Sequence, residues 1–156
     1  MRRTDREVTD SNEILSWLQE VPVARLGFAD AGEPYVVPLN FGIMATASLT
    51  LVFHCAATGR KLDMMSRNPR VCFEADLPGE LRDGGAKACS WGMTFRSVIG
   101  WGRLEPIQDS SEKKAALEAL MSKYSSRAGW EFDPATFESV VVLKLTIEEI
   151  TAKQKR

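Results

Sequence analysis

The chain has 156 residues, a length that suits one domain and leaves little room for two. Hydrophobic residues make up 44% and charged residues 26%, the balance of a folded globular protein rather than a disordered one. With 20 Lys and Arg against 21 Asp and Glu, the net charge of -1 argues against a protein that grips nucleic acid through bulk positive charge, though not against a local basic pocket.

Cys55, Cys72 and Cys89 form no C-x-x-C pair, and His54 is the only histidine, so no structural metal site is expected. A chain of this size buries a core without staples, so the thiols are expected to be reduced, as in a cytoplasmic protein. Arg2-Arg3 has no apolar stretch behind it, so no secretory or twin-arginine signal is read there. No run approaches the roughly 18 apolar residues of a membrane span.

Residues 1–10 are polar and read as a loose arm. Asp10-Ser11-Asn12-Glu13 reads as a capping box, and Ile14, Leu15, Leu18 and Val21 follow at helical spacing toward Pro22. Val23–Phe28 predicts a strand, and 30–34 a turn. Tyr35–Phe41 predicts a second strand, with Tyr35, Val37, Leu39 and Phe41 on one face. Pro38, on the other face, cannot donate to a ladder and implies an edge, a bulge or a bend. Ser48–Cys55 alternates most clearly: Leu49, Leu51, Phe53 and Cys55 form the core face, and Ser48, Thr50, Val52 and His54 the more polar one.

A turn at 56–59 leads to a short helix over 60–67, stopped by Asn68-Pro69. Arg70–Ala75 predicts a strand, and 76–90 a long exposed loop, a lid or a mobile segment. Arg96–Leu104 predicts a strand whose Gly100 and Gly102 share a face, a flat patch open to close approach. Asp109-Ser110-Ser111-Glu112 caps a helix carrying Leu117, Leu120, Met121 and Tyr124. Asp133-Pro134 starts a helical turn, Val140–Ile147 is a last strand, and the basic tail TAKQKR is expected to fray. About six mostly antiparallel strands with short helices on the rim predict an α+β, mainly β fold or small barrel.

The densest chemical signal is His54 to Leu62. A strand ends, small residues turn, and a helix opens on Gly59 with Arg60 and Lys61 behind it. A helix N-terminus offers free N–H groups and a positive dipole end, which suits a phosphate. The pattern is not a nucleotide-hydrolysing P-loop: His54 stands where Gly belongs, Arg60 where Lys belongs, and Lys61 where Ser or Thr belongs. The alternative is a solvated helix start. Against it, cations at a helix N-terminus cost roughly 0.3–1 kcal/mol each unless an anion offsets them. His54 is either a hydrogen-bonded structural residue or a proton donor, histidine being the side chain whose charge ordinarily changes near neutral pH. Arg96-Ser97 can complete an anion pocket or simply face outward.

At these residues the chain resembles a known family. The stretches PYVVPLNFG (34–42), LVFHCAATGRKLDMMSRNPRVCFE (51–74) and FRSVIGWGRLEPI (95–107) are similar to the pyridoxamine 5'-phosphate oxidase-like flavin-binding proteins, in the branch of the nitroimidazole-resistance reductases. The middle stretch carries the specific pattern, F-H-x-A-x-x-G-R-K followed by N-P-x-V-x-F. The resemblance implies a split β-barrel spanning 1–156 that forms a homodimer with FMN at its interface. It implies that Gly59, Arg60, Lys61 and Ser97 surround the FMN phosphate. It implies that the strand through Val37, Pro38, Leu39 and Asn40 follows the isoalloxazine edge, with Pro38 and Asn40 facing it. Ala56, Leu62, Arg96 and Val98 join the expected cofactor set, and His54 is the candidate catalytic residue. Phe95, where many relatives carry Tyr, and Met44, where an aromatic residue is common, depart from the pattern.

The expected function is therefore an FMN-dependent oxidoreductase acting on a small flat electrophile, such as a nitro compound or quinone, without nucleic-acid or membrane partners. The alternatives are a non-catalytic flavin or haem binder or sensor, and an oxidase of a pyridoxamine phosphate-type substrate. The last lacks an evident second phosphate cluster.

Overall fold

The computed structural model describes residues 3–44 and 46–156. Its strands are β1 (Glu7–Val8), β2 (Ala24–Asp30), β3 (Glu33–Leu39), β4 (Gly42–Met44), β5 (Thr50–Cys55), β6 (Arg70–Arg82), β7 (Gly92–Pro106) and β8 (Val141–Lys155). Its helices are α1 (Ser11–Glu20), α2 (Arg60–Arg67), α3 (Ser110–Tyr124) and α4 (Pro134–Ser139). The strands form one antiparallel sheet in the order β3-β2-β6-β7-β8-β5-β4, with β1 paired to β8. The sheet does not close by hydrogen bonding, because β3 and β4 are its two ends. Yet only Asn40 and Phe41 separate those ends along the chain. The sheet therefore curls until its edges nearly meet, which makes the α+β, mainly β fold a split barrel.

Phe41 lies in that gap, fully buried against Phe53 with ring centroids 6.3 Å apart. Its N–H donates to the Tyr124 hydroxyl at 3.0 Å, and that hydroxyl donates to the Pro22 carbonyl at 2.7 Å. The backbone where the barrel splits is thus satisfied from α3. Phe41, Phe53 and Phe73 are the largest fully buried side chains, each contributing roughly 1.5–3 kcal/mol of burial. Ile14, Trp17 and Leu18 of α1 and Met64 of α2 pack into this same core.

The three capping signals do what their spacing implies. Asp10 accepts from the N–H groups of Asn12 and Glu13, Asp109 from Glu112, and Asp133 from Thr136, at 2.8–3.2 Å. Pro38 stands on β3, an edge strand, where the missing donor costs nothing. Ala31 and Gly32, at φ 48° and 85°, make the tight β2–β3 turn.

Several expectations are corrected. Residues 7 and 8 do not belong to a loose arm: Glu7 pairs with Lys153 and Val8 with Ala152. Among the described residues there are eight strands rather than six, β1 and β4 being too short to show a period. The strand from Arg70 continues to Arg82, so residues 76–82 are ladder, and β6 and β7 form one long hairpin with a bulge between Pro78 and Leu81. The carboxyl-terminal tail is not frayed, because Thr151–Lys155 pair with β7. The flat patch at Gly100 and Gly102 is filled from within. A Cβ on Gly100 would meet the Phe73 ring and the Glu149 carbonyl, and one on Gly102 the Thr146 carbonyl at the β8 bulge. The second face of β5 is less polar than expected: Val52 is fully buried beneath Ala116 and Leu117 of α3.

Candidate functional site

The start of α2 is built as the sequence suggests. Gly59 adopts φ 136° and ψ 163°, a conformation that side chains disfavour, and nothing lies within 4 Å of where its Cβ would be. Backbone conformation, rather than space, demands glycine here. Among the described residues no side chain caps the helix, unlike α1, α3 and α4. The Leu62 and Asp63 N–H groups bond the Gly59 carbonyl, and the cations Arg60 and Lys61 stand in the first turn.

Arg60 is not idle. Its guanidinium donates to the Glu33 carboxylate at 2.8 Å and lies 5.0 Å from the Tyr35 ring centroid. Both partners are on β3, so the edge strand and the helix start are held together. Arg67 of α2 pairs with Asp30, and the Asn68 amide donates to the Ala29 carbonyl at 2.8 Å. These are exposed pairs, worth little stability each, but together they fix α2 against the β2–β3 hairpin. Lys61 lies near Cys55, whose thiol is pushed up by burial and drawn back by the Lys61 charge.

The other expected site residues divide by strand face. Val37 and Leu39 pack against the core, which leaves Pro38 on the outer side. The Asn40 amide donates to the Pro22 carbonyl at 3.0 Å, at the split. Leu62 packs against the core and Val98 is 1% exposed, so each has only backbone to offer a ligand. Ala56 is exposed at the turn.

Arg96 and Ser97 point to opposite faces of β7, as neighbours on a strand must. Arg96 forms a two-pronged ion pair with Glu20 at 2.8 and 3.1 Å, its guanidinium 5.9 Å from the Trp17 ring centroid. It also borders a groove with Pro78, Thr94 and Lys155. Ser97 sits opposite Asp76 and Lys153 in the ladder.

His54 is exposed beside a cavity of about 310 Å³ between β5, α3 and α4. Leu117, Leu120, Phe132, Phe137 and Val140 supply its apolar lining, and Glu131 and Asp133 its acid side chains. The sequence pattern did not point to these partners, which lie more than 60 positions along the chain. Neither His54's cavity nor Arg96's groove contains Arg60 or Lys61. The expected residues therefore fall on four parts of the chain: β3 through Asn40, the α2 start, the His54 cavity and the middle of β7.

Residues 10–154 match the family model described as pyridoxamine 5'-phosphate oxidase. A candidate 5-nitroimidazole antibiotic resistance protein from Bacteroides thetaiotaomicron is 30% identical, with a TM-score of 0.82 over 95% of this chain and 86% of its own. An FAD-binding protein from Mesorhizobium loti is 26% identical, with a TM-score of 0.69 over 97% and 98%. The flavocytochrome Anf3 from Azotobacter vinelandii shares the fold, with a TM-score of 0.82 at 22% identity over 100% and 72%. None of the curated proteins matches the sequence. Among the described residues no helix is long and apolar enough to cross a membrane.

Proposed function

The chain belongs to the pyridoxamine 5'-phosphate oxidase family, and we propose that it is a cytoplasmic FMN-dependent oxidoreductase that reduces a small, flat electrophile of the nitro-compound or quinone type. The observation that carries this reading is the start of α2. The first turn of this uncapped helix carries Arg60, Lys61 and one acid, Asp63; Arg60 is paired with Glu33, so Lys61 is the cation that opposes the dipole and that an anion would offset. A flavin phosphate fits that chemistry, and the glycine conformation keeps the approach open.

FMN, when bound, supplies the redox chemistry. The chain's own residues do the rest. The Lys61 ammonium and the Arg60 guanidinium hold the phosphate, Arg60 exchanging or sharing its Glu33 partner. Pro38 and Asn40 present a rigid edge at the split of the barrel. His54, exposed beside a largely apolar cavity, is the candidate proton donor to a flat substrate held there.

The spread of these groups along the chain favours a site shared between two copies, Ser97 coming from the partner. Leu81 and Met93, opposite each other at the far end of the β6–β7 hairpin, stay exposed although they are large and apolar, which is compatible with that assembly.

The test is the visible spectrum after adding FMN and dialysing. Retained flavin bands that bleach on reduction support the reading, and a chain that never holds FMN ends it. Sedimentation of the loaded protein as a monomer would end the shared site. Turnover of NAD(P)H with a nitroaromatic acceptor separates an enzyme from a carrier that binds flavin without reacting.

A further inference from the structure

The cavity beside His54 has a composition that says more than that it is apolar. Of the residues lining it, Leu117, Leu120, Met121, Phe132, Phe137 and Val140 are hydrophobic, and no Lys or Arg is among them. Its charged side chains are two carboxylates, Glu131 and Asp133, both exposed. Asp133 is already committed as the cap of α4, accepting from the Thr136 N–H and hydroxyl at 2.8 Å each. Those bonds hold its carboxyl below the usual range, so it stays ionised. Glu131 has no hydrogen bond or ion pair among the described residues, so its charge is free to act on whatever enters.

We infer that this cavity is the acceptor pocket and that Glu131, with Asp133 behind it, makes it select neutral or cationic flat molecules over anionic ones. The inference rests on the proposed reduction of flat electrophiles at the His54 face. The apolar walls take the ring, and burying it removes water from both surfaces. The carboxylates then set the sign of the substituent. In a solvated site a single charge a few ångströms away changes affinity several-fold, in opposite directions for a cation and an anion. About tenfold therefore separates two ligands that differ only in charge. The same argument explains why the phosphate-binding cations and the acceptor pocket lie on different parts of the chain. An acidic pocket shared with the anion site would weaken it.

The probes are three nitrobenzenes of one shape: para-nitrobenzylammonium, para-nitrobenzyl alcohol and para-nitrobenzoate. Their dissociation constants are measured by calorimetry on the full chain, whose FMN content is read from its visible spectrum. The wild type should bind the ammonium about tenfold more tightly than the benzoate, with the alcohol between them. Glu131→Gln should shrink that spread, Glu131→Lys, whose new cation Asp133 offsets, should shrink it further, and added salt should compress it in the wild type. Glu131 is exposed and unpaired, so both variants are expected to fold, as circular dichroism will report. Equal affinities for all three probes, no binding of any, or a preference unchanged in Glu131→Lys would overturn the inference. The outcome separates from that of the flavin reading. A chain that holds FMN but shows no charge preference loses only the pocket. One that shows the preference without ever holding FMN loses the flavin and with it the acceptor role, and keeps only the charge selectivity of the cavity.

Discussion

Two lysines at opposite kinds of helix end show how this chain divides stability from function. Lys123, at the end of α3, donates to the Leu18 and Gln19 carbonyls at 2.6 and 2.7 Å, where α1 ends. It also lies 4.5 Å from the Phe41 ring centroid. There the ammonium satisfies orphan carbonyls and complements the dipole, contacts that offset the cost of burying its charge. Lys61 sits in the first turn of α2, where the dipole opposes it, no side chain caps the helix among the described residues, and Asp63 is the one acid of that turn. A residue that costs the fold free energy is best understood through a ligand. The contrast is between a cation whose partners are all in the chain and one whose partner has to come from outside.

That contrast can be broken in several places. The largest expected effect is on Lys123. Lys123→Met removes two hydrogen bonds from a charged donor and should cost about 2–3 kcal/mol in urea unfolding. A loss below about 0.5 kcal/mol would remove Lys123 from the account of the fold. Next is Gly59→Ala, which forces a side chain into a conformation nearly reserved for glycine. It should cost roughly 1–3 kcal/mol and weaken FMN binding as the turn rearranges. If Gly59→Ala is as stable as the wild type, the turn is not held as described.

A pH dependence separates the two lysines further. Burial holds the Lys123 ammonium down to about 8, below its ordinary 10.5. Between those values the unfolded chain binds a proton that the folded chain does not, so this group makes stability rise with pH across that window. The buried Cys55 thiol and the half-buried Cys72 thiol are pushed up and act in the opposite sense. They are common to both proteins, so the stability difference between wild type and Lys123→Met should grow in favour of the wild type from pH 8 toward 10.5. A flat difference would contradict the burial of the amine. The smallest expected effect has the opposite sign. Lys61→Ala should stabilise the ligand-free chain by roughly 0.3–1 kcal/mol, visible as a small rise in urea midpoint.

The parts of this structure legible in the sequence are those that depend on neighbours a few residues away. The Asp caps at 10, 109 and 133, the alternation of Leu51, Phe53 and Cys55, and the Gly59-Arg60-Lys61 helix start all appear as local patterns. What escaped detection depends on distant chain. Thr151–Lys155 carry no apolar run and become ordered strand only because β7 and β1 flank them. Asp76–Arg82 look like loop until the opposite strand is known. Gly100 and Gly102 mark close approach, but the approaching groups are Phe73 and the backbone of β8. The candidate site follows the same division. The cations of α2 are visible in the sequence, whereas the Glu33 carboxylate on Arg60 and the Leu117–Phe137 lining beside His54 are supplied by the fold.

The most direct test of the external partner is FMN retention, read from the visible spectrum after dialysis, in wild type and Lys61→Ala side by side. The wild type should keep its flavin bands, and Lys61→Ala should bind FMN more weakly by about 1.5–3 kcal/mol, the worth of a hydrogen bond to a charged group. A colourless wild type, or a variant that holds FMN as tightly as the wild type, would contradict the assignment of the α2 start as the phosphate site.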